Sequence, residues 1–237
     1  QRMMNLEQVA RYLRMDQADI AKLVRQGEIP CEQAETRPLF RRNEVDAWAS
    51  QRIMGMAKRP LVSYHRAATT SARRDDAGPF MVADLLTSER VVTGLPSRTK
   101  AAVLHDLTAI AEKAGLLYDP KDLLHSLEER EALCSTGLAN GVAIVHPRHH
   151  DPFLAGESFL VLARTVRPIH FGAPDGQPTD IFFLLVCQDV KLHLHALARL
   201  CTLFVGTSLL DNIRAADSAE AMLAAVKEAE AAVLARL

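Results

Sequence analysis

No two of the four cysteines, Cys31, Cys134, Cys187 and Cys201, stand close enough to make a CxxC pair. That absence argues against a zinc site built on cysteine spacing. It leaves reduced thiols as the simple reading, two of them in strongly apolar segments. Net charge is almost absent as well, at −1 over 237 residues. No global field draws such a chain to nucleic acid or to a membrane, so any binding of that kind must come from a local patch. Long apolar runs are missing. Nothing approaches the ~20 residues needed to cross a bilayer, and the longest candidate, Ile181–Val186, reads as a buried strand. The N-terminus lacks the succession of charge, apolar run and small residues that marks a signal peptide, and there is no internal repeat. A cytoplasmic protein without membrane contact is the expectation.

Hydrophobic residues make up 49% of the chain, enough for a real core, and the length suits one large or two small domains. Three parts are expected: a compact unit at 1–54, a linker at 55–79 and a larger unit at 80–237. The linker reading rests on the lack of an apolar period in a stretch of small and charged residues. In the first unit Leu6, Val9, Ala10 and Leu13 follow helical spacing. Asp16 reads as the cap of a second helix carrying Ile20, Leu23 and Val24, and Gly27 ends it. Pro38–Arg42 reads as a short strand and Asn43–Gln51 as a third helix. These elements make a small winged helix-turn-helix. In the larger unit Ser97 is expected to cap a helix to about Ala114, and Pro120–Glu131 is another. Val142–Val145, Phe159–Ala163 and Asp180–Val186 are expected as buried strands. Helices follow at about Leu192–Phe204, Ser208–Ala215 and Ser218–Leu237, the last with Asp217 and Glu220 as a capping box. Strands among long helices give an α/β class, a mixed β-sheet flanked by helices.

The chemistry concentrates around His146. A polar, Gly-rich loop with Ser135, Thr136, Gly137, Asn140 and Gly141 runs into the apolar strand that ends on this histidine, and Arg130 lies upstream. Turns of that composition can converge N–H groups on an anion, and a guanidinium can hold phosphate oxygens. Imidazole is a good nucleophile near neutral pH. The arrangement suits a histidine that accepts and gives away a phosphoryl group. Two readings compete. A histidine at a strand end is often only a satisfied polar residue. His146, His149 and His150 also stand at i, i+3 and i+4, as metal ligands on a helix would, but Pro147 spoils that geometry, so no metal is expected.

Three segments carry a family resemblance: Leu127–His146, Asp175–Val186 and His193–Leu200. In their order and spacing, residues 80–237 resemble an enzyme IIA domain of the fructose/mannitol and nitrogen-regulatory class, from the bacterial phosphoenolpyruvate-dependent phosphotransferase system. The resemblance implies that His146 takes a phosphoryl group from the phosphorylated carrier protein HPr. It implies that His193 is a second active-site histidine and that Arg130 neutralises the phosphate. Ser135, Thr136 and Arg148 are candidate phosphate ligands. His195, two positions after His193 on a helix, should point away from the site. No cofactor is expected. Where the family often has Pro-His-Gly or Pro-His-Ala, this chain has Val145-His146-Pro147, and Pro147 removes one backbone N–H near the phosphate.

Residues 3–52 resemble an excisionase-type helix-turn-helix, a relative of the winged MerR-type heads, through Leu6–Leu13, Ile20–Pro30 and Phe40–Trp48. In such modules the second helix enters the major groove and the wing touches the backbone. Residues 1–60 hold nine Arg and two Lys against eight Asp and Glu, a net of +3. Arg25, Arg37, Arg41 and Arg42 are the candidate phosphate contacts to DNA. Against this, Asp16 and Asp19 open the presumed recognition helix, and Ala34-Glu-Thr-Arg-Pro38 replaces the usual Gly-Gly-Arg wing. The expected function is a phosphorylatable regulator coupled to a DNA- or partner-binding head. The alternatives are a component passing phosphate to a separate sugar permease through a IIB partner, and a binding module whose His146 is never modified. Homodimerisation through the head is a further expectation.

Overall fold

The computed structural model describes residues 3–13, 15–34, 37–73, 80–149, 151 and 153–236. The head starts with β1 (Met3–Met4), α1 (Leu6–Leu13) and α2 (Gln17–Arg25). It continues through β2 (Glu32–Ala34) and β3 (Arg37–Arg41) into α3 (Arg42–Met54). The three strands pair antiparallel in the order β1-β3-β2, which is a winged helix-turn-helix. Asp16 occupies the N-cap of α2, without a side-chain cap bond. Gly27 takes φ 68 just past the end of that helix, the left-handed turn that glycine makes without steric cost.

The expected linker at 55–79 holds a helix instead, α4 (Lys58–Arg73); residues 74–79 lie outside the described set. The periodicity was hidden because the buried stripe of α4 is mostly polar. Leu61, His65 and Thr69 recur every four residues and are all buried.

The larger unit is built on a five-stranded mixed sheet. Its strands are β4 (Val91–Leu95), β5 (Gly137–Leu138), β6 (Val142–Val145), β7 (Phe159–Ile169) and β8 (Thr179–Val186), in the order β4-β7-β8-β6-β5. β6 runs parallel to β8, and β7 antiparallel to it. The helices are α5 (Lys100–Lys113), α6 (Pro120–Leu133), α7 (Val190–Gly206), α8 (Leu209–Ala215) and α9 (Ala219–Leu234). Side chains alternate across the sheet. Ala143, Val145, Val161, Phe182 and Leu184 pack with α5 and α6, while Val142, Ile144, Leu160, Phe183 and Leu185 pack with α7 and α9. The second face carries the head too, because Val9, Ile20, Phe40, Val45 and Ile53 belong to the same continuous core.

Two caps differ from expectation by one or two residues. Thr99 caps α5, accepting from Ala102 N, while Ser97 donates to Asp106 at 2.6 Å. Ser218, not Asp217, caps α9, accepting from Ala221 N. β4, β5 and the far half of β7 were not expected; the first two are short and contain glycine, which weakens the pattern of a strand. Among the described residues no single helix is long and apolar enough to cross a membrane.

Candidate functional site

His146 follows β6 directly, and His193 lies in the first turn of α7, which follows β8. Because β6 and β8 are parallel neighbours, their carboxyl ends bring the two histidines together. The rings stand 5.1 Å apart between centroids, with planes inclined by 48°. Arg130 comes from the last turn of α6, on the other side of the strand end. His146, His193 and Arg130 are 2%, 0% and 2% exposed.

The hydrogen bonds fix the tautomer of His146. Nδ1 lies 2.8 Å from the carbonyl oxygen of Ile144, which can only accept, so Nδ1 carries the proton. Nε2 receives the Arg130 Nε–H at 3.1 Å, so Nε2 presents its lone pair. The neutral ring is therefore held with its nucleophilic nitrogen against a guanidinium. Arg130 Nη1 donates to the carbonyl of Cys134 at 2.8 Å, and Nη2 has no hydrogen-bond partner among the described residues. Burial pushes the Arg130 pKa down, yet a guanidinium stays charged across the physiological range. An unfilled donor on a buried cation beside an imidazole is a place for an anion.

The candidate phosphate ligands are otherwise occupied. Thr136 is buried; its hydroxyl and its N–H both donate to Glu131 Oε2, at 2.6 and 2.9 Å. Ser135 donates to the carbonyl of Phe171 at 2.8 Å and accepts from Gly137 N. Glu131 is itself paired with Lys100 at 2.8 Å. These bonds shape the loop after α6 and tie it to the loop at Gly172, whose φ of 96° and close approach to Ser135 favour glycine there. Arg148 turns to Glu129 at 3.7 Å, while its N–H bonds the hydroxyl of Ser126. Ser135 and Thr136 thus build the loop, and Arg148 extends along α6. For Thr136 the reason is Glu131, which supplies an internal acceptor that composition alone did not flag. His149 is exposed and His150 lies outside the described residues. Among the described residues no group of three or more His, Cys, Asp or Glu is placed to hold a metal ion.

The head closes the site. Ser50 of α3, itself buried, places its hydroxyl 3.1 Å from His193 Nε2, and Gln51 donates to the Cys134 thiol at 2.9 Å. Sequence reading missed both residues. They sit in the expected third helix, but a single small polar side chain leaves no pattern that announces a contact 143 positions away.

On the opposite side of α7 lies a second polar cluster. His195 faces α4, with Thr69 Oγ1 3.2 Å from its Nε2. Arg199 is fully buried. It donates to His65, to Thr69 and, at 2.6 Å, to Glu230 of α9. Glu230 also accepts from the N–H groups of Val82 and Ala83. Burial, then the charge of Arg199, lowers the pKa of His65 from 6.5 to about 3, so this ring stays neutral and accepts from Arg199.

The candidate DNA contacts divide. Arg25 and Arg37 are exposed. Arg41 pairs with Glu32 and lies 3.6 Å from Glu44. Arg42 donates to the Tyr12 hydroxyl, stacks over that ring at 5.2 Å, and shares Tyr12 with Asp46. The first pair is therefore free to face solvent, while Arg41 and Arg42 are bound up within the head.

Residues 84–229 match the family "Phosphoenolpyruvate-dependent sugar phosphotransferase system, EIIA 2", and residues 3–53 match a helix-turn-helix domain family. A nitrogen regulatory protein of Bradyrhizobium diazoefficiens is 34% identical over 60% of this chain and 91% of its own. The fructose-specific EIIABC component of Bacillus subtilis is 26% identical over 60% of this chain, which spans only 22% of that longer protein. The crystal structure of the nitrogen regulatory protein IIA-Ntr from Neisseria meningitidis superposes with a TM-score of 0.55 at 28% identity, over 61% of this chain and 98% of its own. IIA mannitol from Escherichia coli shares the fold, with a TM-score of 0.53 at 16% identity, over 60% of this chain and 98% of its own.

Proposed function

The chain belongs to the EIIA type-2 family of the phosphoenolpyruvate-dependent sugar phosphotransferase system, and from that premise we propose that it carries a phosphoryl group on His146 Nε2. One observation carries the reading: the imidazole is pinned through Nδ1 to a backbone carbonyl, and its Nε2 accepts from Arg130. The donor is a phosphorylated HPr-type carrier protein. Nε2 attacks the donor's phosphorus in line, a new N–P bond forms, and the donor nitrogen leaves with the electrons of the old one. Two N–P bonds of similar energy are exchanged, so the step asks for positioning and charge neutralisation rather than acid–base chemistry. Arg130 supplies both, turning its Nε–H and its unfilled Nη2 to the phosphate oxygens. His193 flanks the same oxygens. No resident cofactor takes part.

The head would make this a regulator in a cytoplasmic setting. Similarity to nitrogen regulatory proteins and the attached helix-turn-helix support that reading over a transport role. Phosphate on His146 would bias how the head meets DNA or a partner protein. Exposed Arg25 and Arg37 are the contacts to test on DNA; Arg25→Ala with Arg37→Ala should weaken an electrophoretic shift and its salt dependence. Incubation with phosphorylated HPr-type carrier should add one acid-labile phosphate to the chain and none to His146→Ala. A wild-type chain that gains no phosphate would leave the pure binding module. Transfer onward to an added IIB component would restore the transport reading.

A further inference from the structure

We propose that α3 of the head occupies the surface on which the phosphoryl donor docks, so that head and donor compete for one face of the IIA domain. The inference rests on the phosphohistidine reading. In-line transfer between two histidines requires the donor's imidazole to approach His146 Nε2 to within bonding reach of a shared phosphorus. With α3 in place Ser50 lies on His193, which is 0% exposed, and His146 beside it is 2% exposed, so a donor protein has no approach to the pair. The cover is specific rather than a chance overlap. Ser50 bonds the second histidine itself, and Gln51 bonds the thiol of the residue whose carbonyl holds Arg130. A cleft lined by Gln51, Met54, Cys134, Ser135 and Pro174 marks the seam along which α3 would lift. α4 is held on the far side of α7 by the Arg199 network, so the head can leave the site while staying tethered.

Linkage gives the consequence. If undocking α3 raises phosphoryl acceptance, then a phosphoryl group on His146 favours undocking by the same factor. The added negative charge draws His193 and Arg130 to itself and takes from Ser50 the ring nitrogen it now holds. The exposed face of α2, with Gln17, Lys22 and Arg25, is not part of the cover.

The contact between Gln51 and Cys134 allows the cover to be locked. In the full chain, Gln51→Cys can be joined to Cys134 by a short bis-methanethiosulfonate, whose linker replaces the reach of the glutamine side chain, and released with thiol reductant. The bridged variant should accept phosphate from phosphorylated HPr-type carrier at least about ten-fold more slowly than the same protein reduced, while a monofunctional methanethiosulfonate on the same variant slows it far less. In the opposite sense, Ser50→Arg places a side chain too large for the seam and should accept phosphate faster than wild type. Carbethoxylation of His146, followed by mass spectrometry, reads the cover without any donor and should rank the proteins in the same order. Equal carbethoxylation and transfer in locked and reduced forms would overturn the inference. Ranked carbethoxylation with no transfer to any form, Ser50→Arg included, would overturn the phosphohistidine reading and leave the cover standing.

Discussion

Helix α7 carries two clusters made of the same parts, an arginine and a pair of histidines, with opposite fates. On one side Arg130 meets His146, whose ring lies beside that of His193; on the other His65 and His195 meet Arg199. The difference is the counter-anion. Arg199 is closed by Glu230 at 2.6 Å, and Glu230 in turn is closed by two backbone N–H groups. Arg130 has no carboxylate within ion-pair distance among the described residues, and one of its donors is unfilled. A buried cation with its anion built in holds helices together. A buried cation without one is left to meet an anion that comes and goes.

The largest effect that would test this contrast is on stability. Arg199→Leu strands Glu230 as a lone buried charge and should cost about 3–5 kcal/mol, seen as a large fall in the denaturation midpoint. Arg130→Met should do the reverse, with a modest change in the midpoint but a rate of phosphoryl acceptance down by about 10²–10³. If Arg130→Met instead unfolds the protein and leaves transfer intact, the two clusters are of one kind. Next comes pH. The folded-state pKa of His65 lies below its ordinary value of 6.5, so the fold favours the neutral ring. Its contribution is whole above pH 6.5 and is lost as pH falls toward about 3. Arg199 and His195 face the ring and oppose a further charge; Glu230 is engaged by Arg199. Acidification from pH 7 to 5 should therefore weaken the docking of α4 by about 2 kcal/mol, and His65→Gln should flatten that slope in hydrogen exchange of α4. The smallest effect belongs to Arg148, which is paired with Glu129 outside the site. Arg148→Ala should change transfer by no more than a few-fold, as expected for an exposed ion pair worth about 0.2–1 kcal/mol. A fall like that of Arg130→Met would return Arg148 to the phosphate.

How much could be read from the residues follows from what kind of signal each used. Val142–Val145 is an apolar β-branched run behind a glycine-rich loop, so the strand and the position of His146 at its end were legible. The head was legible from helical spacing and the glycine at its turn. Helix α4 was not, because its buried stripe of His65 and Thr69 answers to Arg199 rather than to an apolar face. The hydrogen bonds of Ser135 to Phe171 and of Thr136 to Glu131 were not legible, because a polar loop reads the same whether its groups face an anion or acceptors of the protein itself. The cover over the site was invisible, since Ser50 and Gln51 form no motif and meet their partners only in three dimensions.

The distance along the chain between α3 and its resting place has a consequence for synthesis. Ser50 and His65 precede their partners on α7 by 143 and 134 positions, so a head emerging from the ribosome must wait for most of the remaining chain before it can settle. A greasy stripe on α4 would be an aggregation hazard during that wait. His65 and Thr69 are instead content in water, and become buried only once Arg199 arrives to meet them.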